Sequence, residues 1–460
     1  MPVGGTQPSG TSSRTLSFPA GFRFGTSTAS YQIEGAASSD GKGPSIWDTF
    51  TSKPGTIVDG SSGAQACDHY HRYREDVALM KRLGANGYRF SISWPRIQSS
   101  GKGRPNPKGL AFYDRLIDEL LEAGIQPMAT LYHWDLPQAL EDDGGWLNRT
   151  TVDHFAEYAA IVGDRYGDRV EHWVPINEPN VVTILGYSIG MHAPGHALLF
   201  EAMPVAHHLL LAHGRASIAL RESVRGRVPS IGCANNHAPI WPASDDLADV
   251  GAAKLFDGLW NGLFIEPMLT GRYPDDAFPL VEAVVKDGDM PTIRQPLDFY
   301  GVNYYNPMRI AATEEDSEMP FEFREVLGYE KTDFGWPIVP DALREWLIML
   351  RARFRAALPP IMITESGCAY NMGPDENGVV DDQPRIDYYA SHLEAVSTAI
   401  QRGVDVRGYY AWSLMDNFEW AEGYTQRFGL VHVDYETQER TPKRSFDWYA
   451  DLIAEHKREA

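Results

Sequence analysis

The segments Trp173-Val174-Pro175-Ile176-Asn177-Glu178-Pro179 and Ile361-Met362-Ile363-Thr364-Glu365-Ser366-Gly367 are built alike. Each is a short apolar run of strand length that stops on a carboxylate. Six further runs have the same length and character. Together the strand candidates lie near 22–29, 87–94, 126–134, 171–178, 229–236, 298–305, 360–366 and 406–416. Most are separated by helical patterns, which implies parallel pairing through right-handed crossovers. Eight such units predict an α/β chain closed into a single (β/α)8 barrel with long βα loops. An open doubly wound sheet is the competing arrangement, but no Gly-rich phosphate loop follows the first strand.

The intervening helices read clearly at three places. From Lys108 to Ala123, Leu110, Tyr113, Leu116, Ile117, Leu120 and Leu121 recur at helical spacing, and Gly124 stands where a C-cap is expected. Arg385–Arg402 repeats the pattern with Ile386, Tyr389, Leu393, Val396 and Ile400. A third helix begins near Lys443 and uses Phe446, Tyr449, Leu452 and Ile453. No internal repeat or linker divides the chain, so residues 16–460 are expected to form one catalytic domain behind a flexible tail at 1–15. The stretches 308–335 and 371–385, rich in Gly, Pro and acids, read as long loops.

Composition narrows the class of partner. The 460 residues are 43% hydrophobic and 22% charged, ample for a large core. Lys and Arg number 41 against 62 Asp and Glu, a net charge of −21. Such a surface repels nucleic acid and anionic membranes, although solubility alone accounts for most of those carboxylates. Cys67, Cys233 and Cys368 show neither a disulfide framework nor metal-ligand spacing, as suits a reducing cytoplasm. Met1 to Thr15 lacks the basic segment and apolar run of a secretory signal. No apolar stretch approaches the ~18 residues of a membrane span. A cytoplasmic location is expected.

Polar residues concentrate where the strands end, which in a barrel is the catalytic face. Arg89 interrupts the aromatic and aliphatic run Gly87 to Trp94 and, if buried, requires an anionic partner. A core ion pair is the plain structural alternative. His133 beside Trp134 sets a hydrogen-bonding group next to a stacking face, the chemistry of a sugar site, though a lone His is commonly a satisfied core residue. Pro179 is expected to hold Glu178 in extended backbone. Burial would raise the pKa of one carboxyl, and a cation such as Arg89 would keep the other ionised. Glycosidic cleavage needs such a pair, one carboxyl to protonate the leaving oxygen and one to attack the anomeric carbon. Either Glu alone could be structural; the pair is what carries the reading.

With these residues in place, the chain resembles glycoside hydrolase family 1, the β-glucosidase family. The resemblance runs from Phe18 to about Ile453. It rests on the opening segment Phe22 to Gly35, then Ser45-Ile46-Trp47-Asp48, Tyr88-Arg89-Phe90-Ser91 and Leu131 to Pro137. Asn177-Glu178-Pro179, Gly301-Val302-Asn303-Tyr304-Tyr305, Thr364-Glu365 and Trp412 to Trp420 follow in family order. The resemblance implies Glu178 as general acid/base and Glu365 as nucleophile. It implies that Arg89 and Tyr305 orient Glu365, that Asn303 supports the acid/base side, and that Asn177 bonds the sugar 2-hydroxyl. Gln32, His133, Glu419 and Trp420 would hold the other hydroxyls. Trp412 would stack under the ring, Phe428 would line the same pocket, and Trp336 the leaving-group side. No cofactor or metal is implied. Two positions depart from the family pattern: Ser366 replaces the usual Asn, and Pro175 the usual Thr.

The activity so implied is retaining hydrolysis of terminal β-D-glucosyl residues from a small β-glucoside or cello-oligosaccharide, with galactosides and fucosides as secondary substrates and a place in cellulose degradation. Three other readings compete with it. Transglycosylation shares the chemistry until an acceptor replaces water. A silent sugar-binding protein is disfavoured by the presence of both Glu178 and Glu365. An aldolase-type barrel is disfavoured because no strand-end lysine is available for a Schiff base. An anionic Glu419 is further expected to repel a 6-phosphate, so the substrate should be a free sugar.

Overall fold

A computed structural model describes residues 16–314 and 317–459. The tail expected at 1–15 lies outside them. Eight strands form the barrel: β1 (Arg23–Ser27), β2 (Gly87–Ser91), β3 (Gln126–Tyr132), β4 (His172–Ile176), β5 (Ser230–His237), β6 (Phe299–Tyr304), β7 (Ile361–Ser366) and β8 (Val406–Trp412). Each pairs parallel with its neighbours, and β8 returns to β1, so the ring is closed. Closure removes the open doubly wound sheet from consideration.

Every expected strand is present, but several stop short of the expected end. β2 ends at Ser91 rather than Trp94, because Trp94 opens a short helix, Trp94–Ile97. β4 ends at Ile176 and β8 at Trp412. The backbone beyond these points leaves the ladder and turns into the mouth of the barrel.

The lower barrel is filled by Met128, Val174, Ala234, Phe299, Met362 and Tyr410, one from each of six strands. Room for Tyr410 comes from two glycines. A Cβ on Gly25 would lie 2.5 Å from the Tyr410 ring, and one on Gly87 would lie 2.8 Å from its hydroxyl. This apolar plug makes the barrel a packed core, not a pore. Above it Arg89 enters the interior and donates to Thr130 Oγ1 (3.1 Å) and Ser27 Oγ (3.2 Å).

The helices pack outside. The first expected helix spans Pro107–Glu122; the Asn106 side chain caps it by accepting from Lys108 N at 3.2 Å. It buries Tyr113, Leu116, Ile117 and Leu120 of the expected stripe, together with Phe112, which the stripe did not include, while Leu110 and Leu121 are only partly buried. The other two span Gln383–Gln401 and Arg444–Glu459. No helix among the described residues is long and apolar enough to cross a membrane.

One expectation needs correction. The stretch 308–335 is not all loop. Met308–Ala312 pairs antiparallel with Phe321–Arg324 and parallel with Ile240–Pro242, giving a three-stranded sheet beside the mouth. Ile310 and Phe321 are buried in it. The acidic residues between the two strands mask two short apolar runs when the segment is judged by composition. The stretch from Asn371 to Asp382 does lack helix and strand, and helix resumes at Gln383.

Candidate active site

A cavity of about 320 Å³ opens at the C-terminal ends of the strands. His133, Trp134, Glu178, Tyr305, Trp336, Glu365, Trp412, Glu419, Trp420 and Phe428 line it. Gln32, Arg89, Asn177 and Asn303 stand behind these groups and are hydrogen-bonded to them. The residues singled out in the sequence therefore converge on one place.

Both glutamates are buried, in contrasting surroundings. Glu365 ends β7 and accepts a short charged hydrogen bond from Arg89 Nη1 at Oε1 and one from the Tyr305 hydroxyl at Oε2, 2.8 Å. Burial pushes its carboxyl up from the ordinary range, and the Arg89 guanidinium and Tyr305 oppose that push. Burial also keeps the Tyr305 hydroxyl protonated, with the negative Glu365 adding to the effect, so it is a donor at all ordinary pH.

Glu178 has no cation in contact. Its Oε1 accepts from the neutral amides Asn303 Nδ2 (2.8 Å) and Asn236 Nδ2 (3.1 Å). Burial, reinforced by the charge of Glu365, pushes its pKa up to about 8. The two carboxyls are joined by a continuous set of bonds. Arg89 Nη2 donates to Asn177 Oδ1 at 2.6 Å, and Asn303 Nδ2 donates to the same oxygen at 3.1 Å. Thr364 Oγ1 fixes Asn303 by donating to its Oδ1 at 2.6 Å.

The backbone at Glu178 is not extended, as Pro179 led us to expect. Glu178 lies in the left-handed region, at φ 46° and ψ 64°. Its N–H donates to Ala234 O at 2.8 Å, which turns the chain sharply off β4. Tertiary contacts have overruled the local preference, at a conformational cost. Trp134 (φ 77°) and Trp420 (φ 48°) share this rare region, so three lining side chains are aimed by strained backbone.

The aromatic wall is continuous. Trp134 packs on Trp420 with centroids 4.4 Å apart, and the His133 ring stacks on both Trp412 and Trp420 at 5.8 Å. Burial and the nearby Arg89 hold the His133 pKa well below its usual range, so the imidazole is neutral. Two buried polar atoms here, His133 Nδ1 and Gln32 Oε1, have no partner among the described residues. Glu419 accepts from Gln32 Nε2 at 3.4 Å. Burial, with Glu365 and Glu178 close by, pushes the Glu419 carboxyl up to about 8. That environment disfavours the anionic form of Glu419, on which the expected repulsion of a 6-phosphate rests.

The sequence reading missed Asn236 at the end of β5, together with Trp260, whose Nε1 donates to Asn236 Oδ1 at 3.2 Å. A signal existed for Asn236: the apolar strand Ile231-Gly232-Cys233-Ala234 closes on Asn235-Asn236, residues that strands disfavour. Ser366 and Pro175, the two departures, do not line the cavity. The Ser366 hydroxyl is buried 3.3 Å from the Tyr388 hydroxyl, on the side of the Gln383–Gln401 helix.

The sequence profile of glycosyl hydrolase family 1 matches residues 14–458. β-Glucosidase A of Acetivibrio thermocellus is 46% identical over 445 residues, covering 95% of this chain and 98% of that protein. A bifunctional β-D-glucosidase/β-D-fucosidase of Bifidobacterium breve is 44% identical over 467 residues, covering 96% of this chain and 99% of the relative. Among solved structures, the β-glucosidase of Thermotoga maritima in complex with glucoimidazole superposes with a TM-score of 0.90 at 44% identity, over 95% of this chain and 99% of that one. With the barrel, the paired carboxyls and a match spanning nearly its whole length, the chain belongs to glycosyl hydrolase family 1.

Proposed function

We propose that the protein is a retaining β-glucosidase in which Glu178 is the acid/base and Glu365 the nucleophile. One observation carries the assignment of roles. Of two buried carboxyls on facing strands, only Glu365 is held by a cation, whereas Glu178 has neutral partners and a pKa of about 8. Near neutrality Glu178 therefore holds a proton to give the glycosidic oxygen, while Arg89 and Tyr305 favour Glu365 as carboxylate.

Glu365 attacks the anomeric carbon as Glu178 protonates the departing oxygen. This leaves a glycosyl ester on Glu365 and a carboxylate at Glu178. Glu178 then takes a proton from water, which attacks the anomeric carbon and expels the Glu365 carboxylate, and the second inversion restores the β configuration. Asn177, fixed between Arg89 and Asn303, is assigned to the sugar 2-hydroxyl, where bonds strengthen in the transition state. His133, Gln32, Glu419 and Trp420 are assigned to the remaining hydroxyls, with Trp412 beneath the ring. The unpartnered His133 Nδ1 and Gln32 Oε1 support that assignment. Trp134 completes the stacking wall, Phe428 lines the same pocket, and Trp336, packed on Phe428, is assigned to the side from which the aglycone leaves.

The substrate is a small β-glucoside, with β-fucosides as a secondary class, in keeping with the B. breve relative's two activities. An aldolase-type reading loses support because no lysine lines the cavity among the described residues. Three buried free thiols, Cys67, Cys233 and Cys368, suit a reducing cytoplasm. A 2-deoxy-2-fluoro glucoside with a good leaving group tests the central claim: peptide mapping should find the sugar ester on Glu365. A label on another carboxylate would overturn the assignment.

A further inference from the structure

We infer that the leaving-group end of the cavity selects an apolar aglycone, aryl or long-chain alkyl, over a second sugar. This rests on the reading of Glu178 and Glu365 given above. The proton donor marks the end from which the aglycone departs. Besides Glu178, the cavity is lined by Val181, Leu185, Met191, Met308, Phe323 and Phe334. Phe334 stacks on Trp336 with centroids 4.2 Å apart. Phe323 is 60% exposed and Met191 58% exposed, so two large apolar side chains stand in solvent at the cavity's rim. Phe323 is no loose loop residue. It lies on the strand Phe321–Arg324 and packs edge-on against Phe256 at 5.2 Å. An exposed, braced apolar rim marks a binding surface rather than a packing accident.

The polar groups at this end are few, and most of their amide groups are engaged within the protein. Asn236 gives Nδ2 to Glu178 and takes Trp260 Nε1 on Oδ1. Asn306 Nδ2 donates to Pro307 O at 2.9 Å. Glu422 also lines the cavity, but it lies beside Glu419, to whose backbone oxygen its N–H donates at 2.9 Å. No lysine or arginine among the described residues lines the cavity. A second pyranose would lose water from several hydroxyls and find few partners, whereas a phenyl ring or alkyl chain would bury only apolar surface.

The alkyl β-glucosides from methyl to octyl test this, because their leaving groups are nearly equal in acidity and differ only in apolar length. kcat/KM should climb along the series, with octyl exceeding methyl by at least about 10-fold and exceeding cellobiose as well. In Phe323→Ser and Met191→Ser the ratio of octyl to methyl should fall several-fold. β-Glucosyl fluoride, which has no aglycone, separates the two levels of the argument. If the wild-type protein fails to hydrolyse it, the reading of the Glu178 and Glu365 pair fails. If the fluoride is hydrolysed but the alkyl series is flat, or cellobiose is the better substrate, the aglycone inference is overturned while the glucosidase reading stands.

Discussion

Arg89 and Glu365 are paired across the interior of the barrel: the guanidinium on β2 donates from Nη1 to Oε1 of the carboxyl that ends β7, although β1 and β8 stand between the two strands in the ring. Both side chains are buried, Arg89 fully and Glu365 all but the part that lines the cavity. The same guanidinium holds Asn177 through Nη2. One side chain therefore sets both the charge of Glu365 and the place of the amide assigned to the 2-hydroxyl.

Arg89→Lys should keep a cation but lose the planar fork that serves two acceptors at once. We expect kcat/KM to fall by about 10²-fold, and the acidic limb of its pH profile to move to higher pH as Glu365 becomes easier to protonate. A fall in rate with an unmoved acidic limb would indicate a purely structural role.

Glu178→Ala separates the two chemical steps. Dinitrophenolate leaves without a proton, so glycosylation of Glu365 should survive, and deglycosylation should stall for want of a base. Turnover then slows by at least about 10³-fold after a burst. Azide needs no base and should restore turnover, giving the β-glycosyl azide. An α-azide product would mean inversion and would remove Glu365 from the role of nucleophile.

Asn236 donates to Glu178 Oε1 at 3.1 Å and so favours the charged form of that carboxyl. In Asn236→Ala the alkaline limb of kcat/KM, set by Glu178 near a pKa of about 8, should therefore move further up. The measurement is the pH profile with a substrate that needs acid assistance. A downward movement would contradict the hydrogen-bond assignment.

Glu419 links the site to stability. Its folded carboxyl keeps a proton up to about 8, whereas the ordinary value is 4.5. Folding thus takes up a proton between those values, and the contribution of Glu419 to stability falls as pH rises through that window. Glu419→Gln removes the loss. The difference in Tm, variant minus wild type, should grow from about pH 5 to about pH 8.5. A difference independent of pH would show that Glu419 ionises normally in the folded protein.

Discrimination against a 6-phosphate acquires a different basis from the one expected. With the Glu419 carboxyl pushed up to about 8, simple charge repulsion is reduced, but no lysine or arginine among the described residues lines the cavity to receive a phosphate. Arg89, behind the lining, is committed to Glu365 and Asn177. A phosphate would be desolvated without a counter-charge. Turnover of the 6-phosphoglucoside should be lower than that of the free glucoside by at least about 10²-fold. Equal rates would require a cation the structure does not provide.

The sequence by itself determined the eight strands, their parallel sense and the two carboxylates at the ends of β4 and β7. These features are written in short-range patterns: apolar runs of strand length, helical stripes such as Tyr113 to Leu120, and a polar residue where each run stops. Tertiary structure alone decided who meets whom. Arg89 and Glu365 are 276 residues apart, and no local rule pairs them. Pro179 argued for an extended Glu178, and a bond to Ala234 on β5 turned it left-handed instead. The charge states of Glu178 and Glu419 follow from burial and from the proximity of Glu365, quantities that exist only once the barrel has closed. The apolar rim of Met308 and Phe323 likewise arises from a sheet whose strands are separated by a run of acids. Local patterns specify elements because they act within one or two turns of chain; partners, strain and pKa depend on surfaces brought together from the whole of it.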